Sequence, residues 1–268
     1  MKYKGFIIVV FLFSCQSVKK MNWPERNSQL NGTEFYKMAF GRNWASRDSL
    51  AVKEVLNGNI PSFLKKFVPI HVEIPGKERS VAIKATYYVS PDYLSIGNDK
   101  DWARIPLTPM AAQLIADSFN CFLPTRKMVN DIYNAAVIRP EPVPMFAFRD
   151  STVTFWQHHL IIEGQRKERK GLIAGIKKDI VISDKVTNDP KPNRVAIYGW
   201  HKQDGKAIQP LYSGHVNWYV DYSHGVRLVA RNIKVDGKWM DYTAVLKDPV
   251  LKQLLCDEEE CSHYRYAY

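Results

Sequence analysis

The residues able to carry chemistry gather in the second half of the chain. Of seven histidines, His158, His159, His201, His215 and His224 fall between positions 158 and 224. The densest polar stretch reads Gly214-His215-Val216-Asn217-Trp218-Tyr219-Val220-Asp221-Tyr222-Ser223-His224-Gly225-Val226-Arg227. As a strand it sets His215, Asn217 and Tyr219 on one face and leads into a turn carrying Asp221 and His224. An imidazole on a rigid strand with a carboxylate close by is the material of general-base catalysis. Cys121 is the candidate nucleophile. It lies four residues before Thr125, a helix-capping residue type, and a helix N-terminus or an imidazolium favours the thiolate. In this scheme Cys121 attacks, His215 takes its proton, and Asp221 or His224 orients the imidazole. The same position also suits a small buried residue between two helices.

Two further readings use the same stretch. His201, His215, Asp221 and His224 are metal-competent types, which allows a divalent-metal hydrolase, although no tight ligand motif such as H-E-x-x-H is present. The leading scheme needs no metal and no cofactor. Lys177, Lys178 and Arg227 are expected to hold a substrate carboxylate, with His201 and Tyr222 alongside. Trp200 and Trp218 offer faces for sugar rings or for the core. A non-catalytic lipoprotein that binds an anionic glycan needs only these basic and aromatic residues.

The elements that must position these residues follow from pattern. Residues 48–66 carry a helical stripe behind Asp48. Residues 68–73 and 80–89 are β-branched and aromatic strands about a turn at Pro75-Gly76-Lys77. Thr108-Pro109 opens a helix and Thr125 opens another. Pro140, Pro142 and Pro144 form an extended connector, and a helix then spans roughly 155–170. Later strands are expected at 171–174, 179–182, 194–198, 216–220, 225–229 and 233–235. The pattern is α+β, with helices in the N-terminal half and an antiparallel-rich sheet in the C-terminal half.

Ser118-Phe119-Asn120-Cys121-Phe122-Leu123-Pro124, running into a helix, resembles the cysteine segment of NlpC-type papain-like peptidases, and Gly214-His215-Val216 resembles that family's histidine strand. The resemblance implies a papain-like fold, with Cys121 and His215 as nucleophile and base. It also implies a peptidoglycan-like amide substrate. The flanks of Cys121 depart from the family's Asp-Cys-Ser-Gly pattern.

Residues 1–15 read MKYKGFIIVVFLFSC, two lysines followed by an apolar run from Phe6 to Phe13. The run is too short for the ~20 residues of a membrane span and fits a secretory signal. Ser14-Cys15 at its end resembles a bacterial lipobox, which implies lipidation of Cys15. The expected organisation is a signal at 1–14, a lipidated tether at 15–31 and one domain at 32–268. Export permits disulfides, and Cys256 and Cys261 are close enough to pair. The formal charge of +11 includes the two signal lysines, and 46% hydrophobic content excludes a disordered chain. Basic residues are scattered without a nucleic-acid motif, so nucleic acid is not an expected partner. The sequence therefore predicts a cell-envelope hydrolase, lipid-anchored on the periplasmic or outer-membrane face, acting on a cell-wall or glycan-type substrate.

Overall fold

The computed structural model describes residues 19–75 and 81–268. The expected signal, the lipidation site Cys15 and most of the Pro75-Gly76-Lys77 turn lie outside the described residues. The fold is mixed α+β with mostly antiparallel sheets. No helix among the described residues is long and apolar enough to cross a membrane.

The chain enters as β1 (Lys19–Lys20), which pairs antiparallel with β2 (Lys66–Ile74). The expected tether is thus, from Lys19 onward, packed against the domain. Met21 and Trp23 are buried, Trp23 stacks on Phe119 at 3.6 Å, and Arg26 Nε donates to Asn59 Oδ1 at 2.9 Å. Helix α1 (Gly32–Ala39) is closed by a capping box between Asn31 and Glu34. Helix α2 (Trp44–Leu56) begins earlier than its stripe suggests, because Asn43 caps it. Asp48 lies inside that helix and accepts from Thr108 N at 3.0 Å. Strand β3 (Ile83–Val89) pairs with β2 along its whole length.

A small hairpin, β4 (Ser95–Gly97) and β5 (Trp102–Arg104), precedes α3 (Pro109–Ser118), whose cap is Thr108. Short β6 (Cys121–Phe122) follows, then α4 (Arg126–Ala135), capped by Thr125 as the sequence predicts. After the proline-rich connector comes α5 (Thr152–Arg166), which stops where Lys167 turns left-handed.

The second sheet is built from β7 (Lys178–Val181), β8 (Arg194–His201), β9 (Ala207–Val216) and β10 (His224–Gly225), in the order β10-β7-β8-β9. β10 runs parallel to β7, and the other pairs are antiparallel. The chain then returns to the first sheet as β11 (Val229–Ala230), β12 (Asn232–Val235) and β13 (Lys238–Asp241), before α6 (Tyr242–Lys247). The larger sheet therefore draws strands from both halves of the chain. The expected strand at 171–174 is only a bridge from Ile138 to Ile173. The expected strand at 216–220 is a turn instead. β9 ends at Val216, and the backbone closes on itself through Tyr219 N to Val216 O at 3.0 Å. Cys256 and Cys261 are joined in a disulfide near the C-terminus.

Candidate functional site

The site forms where the end of β9, the start of β10 and the start of β7 meet the loop before α5. His215 lies on β9, half-buried, with its ring 4.8 Å from that of Tyr219 and 5.9 Å from that of His224. Burial and the nearby Lys178 depress its pKa, so the imidazole is neutral at neutral pH and able to accept a proton. The turn after β9, and not a continuing strand, is what brings Tyr219 and His224 over it.

Asp221 anchors the turn. It is buried, and it accepts from Ser223 N at 2.8 Å, Ser223 Oγ at 2.5 Å and Arg149 Nη2 at 3.0 Å. Tyr219 Oη adds a longer contact at 3.4 Å. Burial alone would raise this carboxyl. His224, the Ser223 hydroxyl and Lys178 overcome that and hold it below the ordinary carboxylate range. His224 is fully enclosed, and burial pushes its pKa down. Its Nδ1 faces the Asp221 N–H at 3.4 Å, which places the ring proton on Nε2. That Nε2 is buried and has no hydrogen-bond partner among the described residues.

Lys178 and Lys177 are adjacent on the chain and differ in role. Lys178 Nζ lies 5.6 Å from the Trp200 ring and feels the charge of Asp221. Lys177 is buried inward. Its Nζ sits 3.2 Å from His158 Nδ1 and donates to the Tyr222 carbonyl. Desolvation pushes its pKa down to about 7. His158 and His159, adjacent on α5, are both buried, at 0% and 4% exposure. His158 Nε2, like His224 Nε2, finds no partner among the described residues.

The other residues singled out by sequence fall elsewhere. Arg227 is fully buried and pinned to the carbonyls of Ser90 at 2.8 Å and Ile173 at 2.7 Å, so it braces the fold. Tyr222 is buried, and its hydroxyl accepts from Met145 N at 2.7 Å. Trp200 is buried, with its indole N–H unpartnered among the described residues. His201 belongs to a separate polar pocket, stacked on Tyr133 at 4.4 Å, with Nε2 3.1 Å from Asn130 Oδ1. Burial lowers its pKa to about 4.

Cys121 does not join the cluster. It lies on β6 opposite Ala230 in the first sheet, whereas His215 and His224 lie on the second. The thiol is 1% exposed, donates to the Phe119 carbonyl at 3.4 Å, and is pushed up by burial away from thiolate formation. Its surroundings are those of a core residue. Nor does any group of three or more metal-ligating side chains converge among the described residues, so His201, His215, Asp221 and His224 do not form a ligand set there.

Arg149 is the functional residue that pattern reading misses. It stands two residues before the Ser151 cap of α5, and an Arg-Asp-Ser-Thr run at a helix start is a weak signal of an anion site. Its side chain is 43% exposed, so a guanidinium bonded to Asp221 also faces solvent. No family model matches this chain, and neither a curated protein nor a solved structure resembles it closely enough to count as a relative.

Proposed function

We propose that the chain is a cell-envelope hydrolase that works by general-base catalysis at His215 on an anionic substrate. The observation that carries this reading is a neutral, solvent-reaching imidazole set beside a carboxylate that already receives several donors. His215 draws a proton from an attacking water, and the enclosed His224 packs against its ring and fixes the turn that carries Asp221. Arg149 and Lys178 outnumber Asp221 in charge and retain an anionic group of the substrate. Cys121 has no place in this mechanism, because a buried neutral thiol is neither accessible nor nucleophilic. The N-terminal signal and Ser14-Cys15 support delivery to the envelope on a lipid anchor. The disulfide in the tail is of a kind that persists outside the cytoplasm.

The test is hydrolysis of purified sacculi and of simple anionic esters by the full chain. Wild type should release product, and His215→Ala should lose roughly 10²- to 10⁴-fold in rate. Cys121→Ala should keep the rate. Full activity in His215→Ala would sink the assignment, and full loss in a folded Cys121→Ala would return the thiol to the mechanism.

A further inference from the structure

The loop before α5 joins the polar site to an apolar one. Tyr222 holds this loop at two points: its hydroxyl accepts from Met145 N at 2.7 Å, and its own N–H donates to the Arg149 carbonyl at 2.9 Å. Held this way, Arg149 reaches Asp221, while Phe146 and Phe148 are left 87% and 82% exposed. Beside them opens a groove of about 640 Å³, lined by Pro144, Met145, Phe146, Phe148, Val153 and Ile161. Val153 and Ile161 lie eight residues apart on α5 and share one face of the helix with Gln157 between them, so the floor is apolar at both ends and carries one amide at its middle. The volume is that of a small-molecule site. Two neighbouring phenylalanines left in water call for an occupant.

We propose that the groove and Arg149 together bind a single anionic amphiphile, with its hydrocarbon chain along the α5 floor and its phosphate or carboxylate head on the guanidinium. The proposal rests on reading the adjoining polar cluster as the substrate centre and names the substrate class for it. The lining is mostly apolar, with Ser151, Thr154 and Gln157 its polar side chains, which suits hydrocarbon better than a sugar. The head position follows from charge. Arg149 follows the lining residue Phe148 in the chain, gives Nη2 to Asp221 and is 43% exposed, so a partly open guanidinium is carried by the same loop that walls the groove. Lys178 adds a second cation near Asp221.

The experiment is calorimetric titration of the full chain with octyl, decyl and dodecyl phosphate, each below its aggregation concentration, against inorganic phosphate and octanol. Affinity should rise about fourfold per buried methylene until the groove is full and then level off. Val153→Glu and Ile161→Glu, both at exposed positions, should lose at least tenfold for decyl phosphate and leave inorganic phosphate unchanged. Arg149→Gln should erase the preference for octyl phosphate over octanol. Decyl phosphate binding no better than phosphate would overturn the proposal. So would a rise with chain length that never levels off and ignores the glutamate variants, since that is surface partitioning. Self-association of the chain abolished by the same variants would also overturn it, because a second copy would then fill the groove. His215→Ala should bind decyl phosphate within threefold of wild type. Binding therefore stands or falls separately from hydrolysis.

Discussion

Two buried charged regions share helix α5 and obey opposite arithmetic. On one side Arg104 meets Asp92 through two bonds, at 2.8 and 2.7 Å, and Glu163 at 2.7 Å, with Arg166 closing the group at 3.6 Å from Asp92. Two guanidinium groups face two carboxylates. Burial opposes the charge on Arg104, but Asp92 and Glu163 more than offset it and hold the group protonated. On the other side His158 meets Lys177, and Lys178 and Arg149 meet Asp221. Here cations exceed carboxylates, and two imidazole Nε2 atoms lack partners among the described residues. A buried network whose charges are all answered is scaffolding. One with surplus positive charge and unpartnered buried imidazoles has the character of a binding site for an anion.

Removing a partner should hurt most where every charge is answered. Arg104→Met leaves Asp92 and Glu163 facing each other without a counter-charge, and it should destabilise the fold by about 3–5 kcal/mol. Urea denaturation measures this, and a loss below about 1 kcal/mol would erase the distinction between the regions. In the other region the penalty should appear in rate and not in stability. His215 is only half-buried, so His215→Ala should unfold at nearly the wild-type urea concentration while turnover falls as described above. Its depressed pKa also fixes a sign. A base must be neutral to act, so the acidic limb of the rate profile should lie below the ordinary histidine value of about 6.5. A limb above that value would assign the base to another group.

Lys177 sharpens the contrast through pH. Burial holds its pKa in the folded chain at about 7, below the ordinary lysine value of 10.5. Between those values the unfolded chain holds a proton that the folded chain does not, so this residue makes stability rise with pH across that window. Below pH 7 both states are protonated and the burial penalty is constant. Lys177→Met removes the penalty. The variant should therefore be more stable than wild type at pH 6, and the gap should narrow by on the order of 2 kcal/mol by pH 9. A gap that ignores pH would mean the lysine is not desolvated.

What the sequence made legible follows a physical boundary. Local rules worked at Thr108, Thr125 and the β2–β3 pair, because caps and alternation act over a few residues. The polar run 215–224 was readable as one cluster of side chains, since His215, Asp221 and His224 are joined by one turn. Residues brought in by tertiary contact were not readable. Arg149 reaches Asp221 across 72 positions, and no local pattern encodes that. Arg227 and Lys177 were read as ligand-binding because their charge suggests exposure, yet backbone carbonyls take their donors inside the fold. Asn43 displaced Asp48 as the cap of α2 for a similar reason: the Asp48 carboxylate is held by Thr108, 60 residues away.

Cys121 gives the smallest predicted effect and the sharpest discrimination. Sequence places it before a helix N-terminus, a setting that lowers a thiol pKa when the sulfur faces the helix amides. In the structure the Thr125 hydroxyl already serves that terminus, accepting from Met128 N at 3.2 Å, and the sulfur turns to the Phe119 carbonyl. Burial, opposed only in part by the charge of Lys19, then raises the thiol. Cys121→Ala removes one sulfur atom from a packed position and should cost about 1 kcal/mol of stability. Native protein should resist alkylation by iodoacetamide, and the label should appear only on denaturation. Rapid labelling of the folded chain would mean the thiol is presented to solvent, and Cys121 would then belong with the reactive region.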